Sequence, residues 1–157
     1  MDIRPEQRLP ESLQKAASVW GNEWGWHPDL VPTVVREAEK VGLLNLGGQL
    51  QFRLLGRICE CYWVNVYPEF DDTMPWDLKI RRAATSTIQG FEDLSVKFDF
   101  IEEGRKAFPK LLKEYEQSGG RLTEVMFFIL YFDDEKTSVQ NAERGIFASL
   151  KRWFSRF

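Results

Sequence analysis

The feature that most constrains the fold is an alternating pattern over residues 49–67, which predicts a β-hairpin. A two-residue loop at Gly56-Arg57, with glycine at its first central position, sets the register. In this register Arg53 lies opposite Glu60, and the two side chains form an ion pair. The apolar face carries Leu50, Phe52, Leu54, Cys59, Cys61 and Trp63, and the polar face carries Gln49, Gln51, Arg53, Glu60 and Tyr62. A slip of one residue would mix the two sets, so we expect a single register.

Apolar residues at helical spacing predict helices on both sides of the hairpin. The predicted helices cover residues 10–20, 32–41, 77–89 and 102–117, the last divided near Pro109, and a final helix runs from the capping-box pattern at Thr137 to about Phe154. Gly21 and Gly42 end the first two helices. The buried side of the final helix is predicted to carry Val139, Ala142, Ile146, Leu150, Trp153 and Phe157.

Two further strands are predicted after the hairpin. Residues 122–132 are apolar on both faces, which is typical of a central strand that is covered on both sides. Residues 95–101 alternate between apolar and polar side chains, and we interpret them as a strand. The alternative interpretation continues the preceding helix, because apolar residues from Phe91 to Ile101 also fit a helical spacing.

These elements predict an α+β fold with a mainly antiparallel sheet. The sheet is built on the hairpin (about 49–67) and a central strand (about 122–132), with helices packed on it. We expect residues 1–157 to form a single domain. Residues 1–10 are expected to be an irregular lead-in, and residues 20–28 a connection rich in Gly and Trp.

The composition argues against several functional classes. With a net charge of −3, the chain lacks the basic surface with which a general nucleic-acid-binding protein neutralises phosphates. The first residues have no apolar run of the signal-peptide type, and no segment approaches the ~18 apolar residues of a membrane span. Two cysteines do not make a disulfide framework, so we expect a reducing cytoplasm.

The reactive residue types do not show the spacing of a catalytic or metal site. Cys59 and Cys61 would point the same way from a strand, but zinc needs four ligands and the chain has only one histidine. We expect both cysteines to pack as small apolar residues. His27 has no nucleophile or orienting partner at a recognisable spacing. We therefore predict no catalytic residue, no metal and no cofactor.

Two groups of residues are predicted to contact a partner protein. The aromatic group is Trp24 and Trp26, because tryptophan is a typical interface anchor. The acidic group suits a basic surface and consists of Glu69, Asp71, Asp72, Asp133, Asp134 and Glu135. The alternative interpretations are that these tryptophans, together with Trp20, seal one end of the core and that the carboxylates form a solvated surface.

In size, acidity, tryptophan content and lack of catalytic motifs, the chain is similar to bacterial α+β immunity proteins, which act against toxins delivered between cells. This resemblance implies a small cytoplasmic inhibitor, not an enzyme, that neutralises a toxin by occluding a basic surface. One alternative is a small enzyme or ligand-binding domain whose pocket is lined by His27, Tyr62 and Tyr67 near carboxylates. Another is a structural or regulatory homodimer joined through sheet edges or terminal helices.

Overall fold

The computed structural model describes residues 3–143, which form five strands and six α-helices. The strands are β1 (Ser18–Trp20), β2 (Glu23–Trp26), β3 (Leu44–Leu54), β4 (Arg57–Val66) and β5 (Met126–Asp133). The helices are α1 (Glu11–Ala16), α2 (Val31–Lys40), α3 (Trp76–Lys97), α4 (Phe100–Ala107), α5 (Pro109–Gln117) and α6 (Glu135–Glu143). Short 3-10 turns lie at Pro5–Arg8, Pro28–Leu30 and Leu122–Glu124.

The five strands form one antiparallel sheet in the order β1-β2-β5-β3-β4. This arrangement confirms the predicted α+β fold. β5 lies at the centre of the sheet, as predicted, although Leu122–Glu124 form a 3-10 turn before it. The neighbouring residues Phe128 and Ile129, which point to opposite faces, are both fully buried. Burial on both faces explains why this strand has no polar alternation.

The hairpin of β3 and β4 is confirmed, but its turn lies one residue earlier than predicted. Leu54 pairs with Arg57, so Leu55 and Gly56 form the two-residue loop. Both loop residues have a positive φ, 50° and 70°, as a type I′ turn requires. The prediction at Gly56-Arg57 was wrong because a leucine in the left-handed region is rare and gives no signal in the sequence.

The earlier turn shifts the strand pairing by two residues. Because this number is even, the predicted polar and apolar sets stay on separate faces as far as Cys61. Gln51, rather than Arg53, lies opposite Glu60, so the predicted cross-strand ion pair is wrong. Beyond Cys61 the register breaks, and Trp63 donates from Nε1 to the Glu103 carboxylate of α4 at 3.0 Å.

A short helix and a second hairpin replace the predicted helix over 10–20 and the connection over 20–28. α1 ends at Ala16, and β1 pairs with β2 across a loop at Gly21 and Asn22. The pairing of Gly25 with Ile129 then joins β2 to the centre of the sheet. The expected lead-in is also structured, because it forms a 3-10 turn and buries Leu9 in the core.

α3 is longer than predicted, and the strand predicted over 95–101 is wrong. The alternative interpretation is confirmed, since the helix continues to Lys97 and buries Phe91 and Leu94. Gly90, which weakens the helical pattern, allows close packing on β4. A Cβ atom at this position would overlap the side chain of Val66.

The remaining helices follow the predicted order. α2 matches the helix predicted over 32–41, and α4 and α5 are divided at Pro109 as expected. Asp99 begins α4 as its N-cap, because its carboxylate accepts a hydrogen bond from the backbone N–H of Glu102 at 3.2 Å.

At Gly47 and Gly48, the side chains of β3 switch the sheet face to which they point. Its pairing with β5 shifts by one residue there, so the alternation reverses along the strand. Leu44 and Leu46 therefore pack in a small cluster with Ile80 of α3, whereas the later residues of β3 enter the main core. The backbones of β3 and β5 are so close that a Cβ atom on Gly48 would overlap the carbonyl oxygen of Ile129.

α6 lies at the start of the predicted C-terminal helix. Its first turn is capped by Asp134, whose Oδ1 accepts from the Thr137 N–H at 2.7 Å. Val139, predicted to be buried, is largely exposed in the described structure. The predicted continuation to about Phe154, with its buried side from Ala142 onward, lies outside the described side chains. Within residues 3–143, none of the helices has the length and apolar character needed to cross a membrane.

Candidate functional site

A cleft of about 690 Å³ opens where β5 ends and α6 begins. The N-terminal segment and the β1–β2 turn complete its walls. Its polar lining consists of Arg4, Glu6, Asn22, Tyr131, Asp133, Asp134, Lys136, Thr137 and Gln140. The volume lies in the range of sites that hold small organic ligands. Asp133 and Asp134, which the sequence predicts as partner contacts, are thus part of a concave site.

The charged residues of this cleft differ in how deeply they are buried. Glu6 is only 7% exposed and Asp133 only 3%, whereas Arg4 and Lys136 are exposed. Burial raises the pKa of Glu6, and its own backbone N–H and the charge of Arg4 oppose this effect only in part. The inner part of the cleft is therefore acidic, and its cations lie at the rim.

Tyr131 joins the cleft to buried polar residues of the sheet. Its hydroxyl group donates to Glu23 Oε2 at 2.9 Å and accepts from Gln49 Nε2 at 3.2 Å. Burial and the charge of Glu23 raise the pKa of Tyr131, so the hydroxyl group keeps its proton at neutral pH. These bonds fix the orientation of the Tyr131 ring in the cleft wall.

Arg53 forms hydrogen bonds that link β3 to β1 and β2 on the polar face of the sheet. It donates from Nε to Gln51 Oε1 at 2.6 Å, and from its terminal nitrogens to the backbone carbonyls of Ser18 at 2.6 Å and Glu23 at 3.2 Å. Gln51 in turn donates to Glu60 at 3.1 Å. Arg53 therefore reaches from β3 past β5 to β1 and β2. The residues act as a structural network that supports the cleft wall.

A second candidate surface is the acidic loop, residues 68–75, which connects β4 to α3. Glu69, Asp71 and Asp72 are all exposed there. Contacts with α3 hold the loop, since the Glu69 N–H donates to Ser86 Oγ at 2.8 Å and its carboxylate lies 3.6 Å from Arg82. The predicted acidic group is therefore divided between two sites, the acidic loop and the cleft region.

The predicted aromatic group lies mainly in the core. Trp26 is fully buried, and its Nε1 donates to the carbonyl of Leu13 at 2.8 Å. Trp24 is half-buried, with its ring centroid 6.2 Å from that of Trp26. Trp20 is partly exposed on the edge strand β1. The packing of Trp26 agrees with the alternative interpretation that the tryptophans seal the core.

The residues of the alternative pocket belong to different parts of the chain. His27 follows β2, and its Nδ1 accepts from the Asp29 N–H at 3.2 Å. Tyr62 lies in β4, and its backbone carbonyl accepts from Asn65 Nδ2 at 2.7 Å. Tyr67 lines a different cavity, of about 380 Å³, whose lining includes neither His27 nor Tyr62. The three residues do not share that cavity.

The two cysteines are buried thiols on the apolar face of β4. Burial raises the pKa of Cys61 to about 12 and also raises the pKa of Cys59. Both are therefore neutral at physiological pH and poor nucleophiles. In the part of the chain that the structure describes, His, Cys, Asp and Glu side chains form no group of three that is placed to hold a metal ion.

Glu6 and Tyr131 are the site residues that sequence reasoning missed. Glu6 lies in a segment that resembles an irregular lead-in, and Tyr131 lies in an apolar run, so neither stands out by spacing. The only available signal was the polar set Gln49, Gln51 and Arg53, which indicates a polar face beside the central strand. Comparison with protein-family models, with curated proteins and with solved structures found no match to this chain.

Proposed function

We propose that the protein binds a basic surface of a partner protein through the acidic loop. The observation that carries the proposal is the state of Asp71, which is fully exposed and yet held in place. Its Oδ1 accepts hydrogen bonds from the N–H and Oγ1 of Thr73 at 2.8 and 2.7 Å. These bonds lower the pKa of Asp71, so its carboxylate stays ionised to a lower pH than that of an ordinary aspartate.

The base of the acidic loop is anchored by a buried cation. Lys79 of α3 is buried, and its Nζ lies 5.6 Å from the centre of the Phe70 ring and 6.0 Å from that of Trp76. The same Nζ lies 3.8 Å from Asp72 Oδ1. A loop held in this way loses little conformational entropy on binding, which favours affinity.

The surroundings of the acidic loop also suit an interface. Asp77, in the first turn of α3, adds a fourth exposed carboxylate, and Leu78 beside it is 47% exposed. An exposed apolar residue among carboxylates offers a small apolar centre with a charged rim. The carboxylates would steer a basic partner and set its orientation.

The concrete form of this function that we propose is an inhibitor of a toxin, that is, an immunity protein of the cytoplasm. Such a protein acts by covering a basic active site or binding surface, and it needs no catalytic residues of its own. The resemblance in size, acidity and tryptophan content supports this form, and the anchored acidic loop supplies a contact surface for it.

The test starts with affinity capture of a partner from a lysate of the source organism, followed by calorimetry with the purified partner. The double variant Asp71→Asn, Asp72→Asn removes two charges but keeps a side-chain oxygen for the Thr73 turn. We expect it to weaken binding about tenfold, or ~1.4 kcal/mol. The matched control Glu92→Gln, Glu114→Gln removes two exposed carboxylates elsewhere and should bind like the wild type. Equal affinity of both double variants would refute the acidic loop as the contact surface.

A further inference from the structure

The cleft at the end of β5 contains a buried charge that the acidic loop does not use. Glu6 lines the cleft and is more than nine-tenths buried. Among residues 3–143, no side chain is hydrogen-bonded or ion-paired to its carboxyl group, which has only its own backbone N–H and the field of Arg4. A carboxylate that loses water without gaining a cation destabilises the fold. A side chain of this kind in a cavity wall indicates a missing positive partner.

The cations that line the cleft among residues 3–143 do not take this place. Arg4 donates a hydrogen bond to the side-chain oxygen of Asn22, and Lys136 is exposed to solvent. Asp133 lies in the same lining but has a partner of its own, so Glu6 is the group that makes the inner cleft favour a cation over an anion.

The apolar part of the lining restricts which kind of cation could bind in the cleft. Ile3, Pro5, Leu46 and Phe132 supply apolar surface beside the carboxyl groups. A short aliphatic chain would pack there while its charged end points inward. A guanidinium group is especially suited to carboxylates, because its planar N–H groups bind two oxygens at once.

We propose that this cleft binds a small organic cation, namely a guanidinium or primary ammonium group on a short aliphatic chain, with Glu6 as the residue that holds the positive charge. Binding replaces water around Glu6 with a charge-assisted hydrogen bond. The site is separate from the acidic loop, so it does not depend on the function proposed above.

The test compares two probes of nearly equal shape, n-butylguanidinium and n-butylurea, by isothermal titration calorimetry at pH 7. We expect the charged probe to bind the wild type at least tenfold more tightly than the neutral probe. Glu6→Gln should lower the affinity for n-butylguanidinium at least tenfold. The control Glu11→Gln, an exposed carboxylate a few residues further on, should leave it unchanged.

Backbone amide chemical shifts locate the site independently of any variant. On titration of the wild type with n-butylguanidinium, we expect the largest shifts at Asn22, Thr137 and Gln140, which line the cleft. Equal affinity for the two probes, no measurable binding of either, or shifts confined to other surfaces would each overturn the proposal.

Discussion

Leu55 occupies a conformation that leucine rarely adopts. It has a φ of 50° at the tip of the β3–β4 hairpin, and its side chain is 54% exposed. A residue with a Cβ atom in this region costs about 1–2 kcal/mol, and little burial offsets this cost. Asparagine tolerates the same conformation far better, because its short polar side chain bonds locally.

We predict that Leu55→Asn raises the free energy of unfolding by about 1 kcal/mol. Urea denaturation followed by tryptophan fluorescence measures the change. The control is Leu78→Asn, which also replaces an exposed leucine but lies in the helix α3, where asparagine is a poorer helix former. That control should lower the stability by a few tenths of a kcal/mol. An unchanged or lower stability of Leu55→Asn would show that the turn is not strained.

Glu6 is the second residue with an unfavourable environment. Burial raises its pKa above the ordinary value of 4.5, so the folded chain keeps this proton to a higher pH than the unfolded chain. Between the two pKa values the folded state binds more protons, and stability falls as the pH rises through this window. Glutamine has no proton to lose, so the difference between the two proteins depends on pH.

We predict that Glu6→Gln has about the stability of the wild type near pH 3 and is more stable by about 1 kcal/mol at pH 7. Denaturant titrations at several pH values measure this difference. Glu11→Gln, at an exposed carboxylate, should show little dependence on pH. A Glu6→Gln protein that is less stable than the wild type at pH 7 would show that the carboxylate has a structural partner. Higher stability combined with lower affinity for a cation is what a binding residue would show.

Among the elements, β3 contains a bulge at Gly47 and Gly48 that lets the strand contribute side chains to two separate hydrophobic clusters. It reverses the alternation, so that Leu44 and Leu50 face different sides of the sheet. The backbones of β3 and β5 are in close contact at Gly48. Any side chain at Gly48 would push two strands of the sheet apart.

We predict that Gly48→Ala lowers the free energy of unfolding by about 3 kcal/mol, since the overlapping atom belongs to the backbone of Ile129 and cannot rotate away. The control Gly21→Ala lies in the β1–β2 turn with a φ of 58° and no atom within 4 Å of the added methyl group. It should cost only the backbone strain of about 1 kcal/mol. Thermal and chemical unfolding measure both variants. Equal losses would mean that the close contact at Gly48 is relieved by a small movement.

The elements with strong local signals were predictable from the sequence. α2, the β3–β4 hairpin, the central strand β5 and the break at Pro109 follow from periodicity and from proline chemistry. Residues 95–101 fit both the two-residue alternation of a strand and the spacing of a helix, and the strand prediction was wrong. The burial of Phe91 and Leu94 in the core favours the helix, and local spacing does not show this burial. The β1–β2 hairpin was missed because Trp20 also extends the helical spacing of the preceding residues.

At the scale of the whole molecule, the polar face of the sheet was predictable but its burial was not. The alternation indicates that Gln49, Gln51 and Arg53 share a face, and the structure shows them buried. Arg53 is buried because it bonds to Ser18 and Glu23, which are about thirty residues away in sequence. Contacts of this range depend on strand order, which the local pattern does not contain. The cleft beside Tyr131 depends on the same contacts.

The two proposed sites, the acidic loop and the cleft, lie in different parts of the molecule and would bind different kinds of ligand. The acidic loop lies at the start of α3 and presents exposed, anchored carboxylates, which suit a large basic partner. The cleft lies at the end of β5 and presents a buried carboxyl group, which suits a small cation. Variants at Asp71 and at Glu6 therefore test the two proposed binding activities separately.

The association rate with the captured partner, measured by stopped-flow fluorescence over a range of salt concentrations, tests the acidic loop most directly. Electrostatic steering predicts a wild-type rate that falls steeply with salt. The Asp71→Asn, Asp72→Asn variant should associate more slowly at low salt, with a flatter dependence, while Glu92→Gln, Glu114→Gln should follow the wild type. The same salt dependence in all three proteins would contradict the proposal that the acidic loop guides a basic partner.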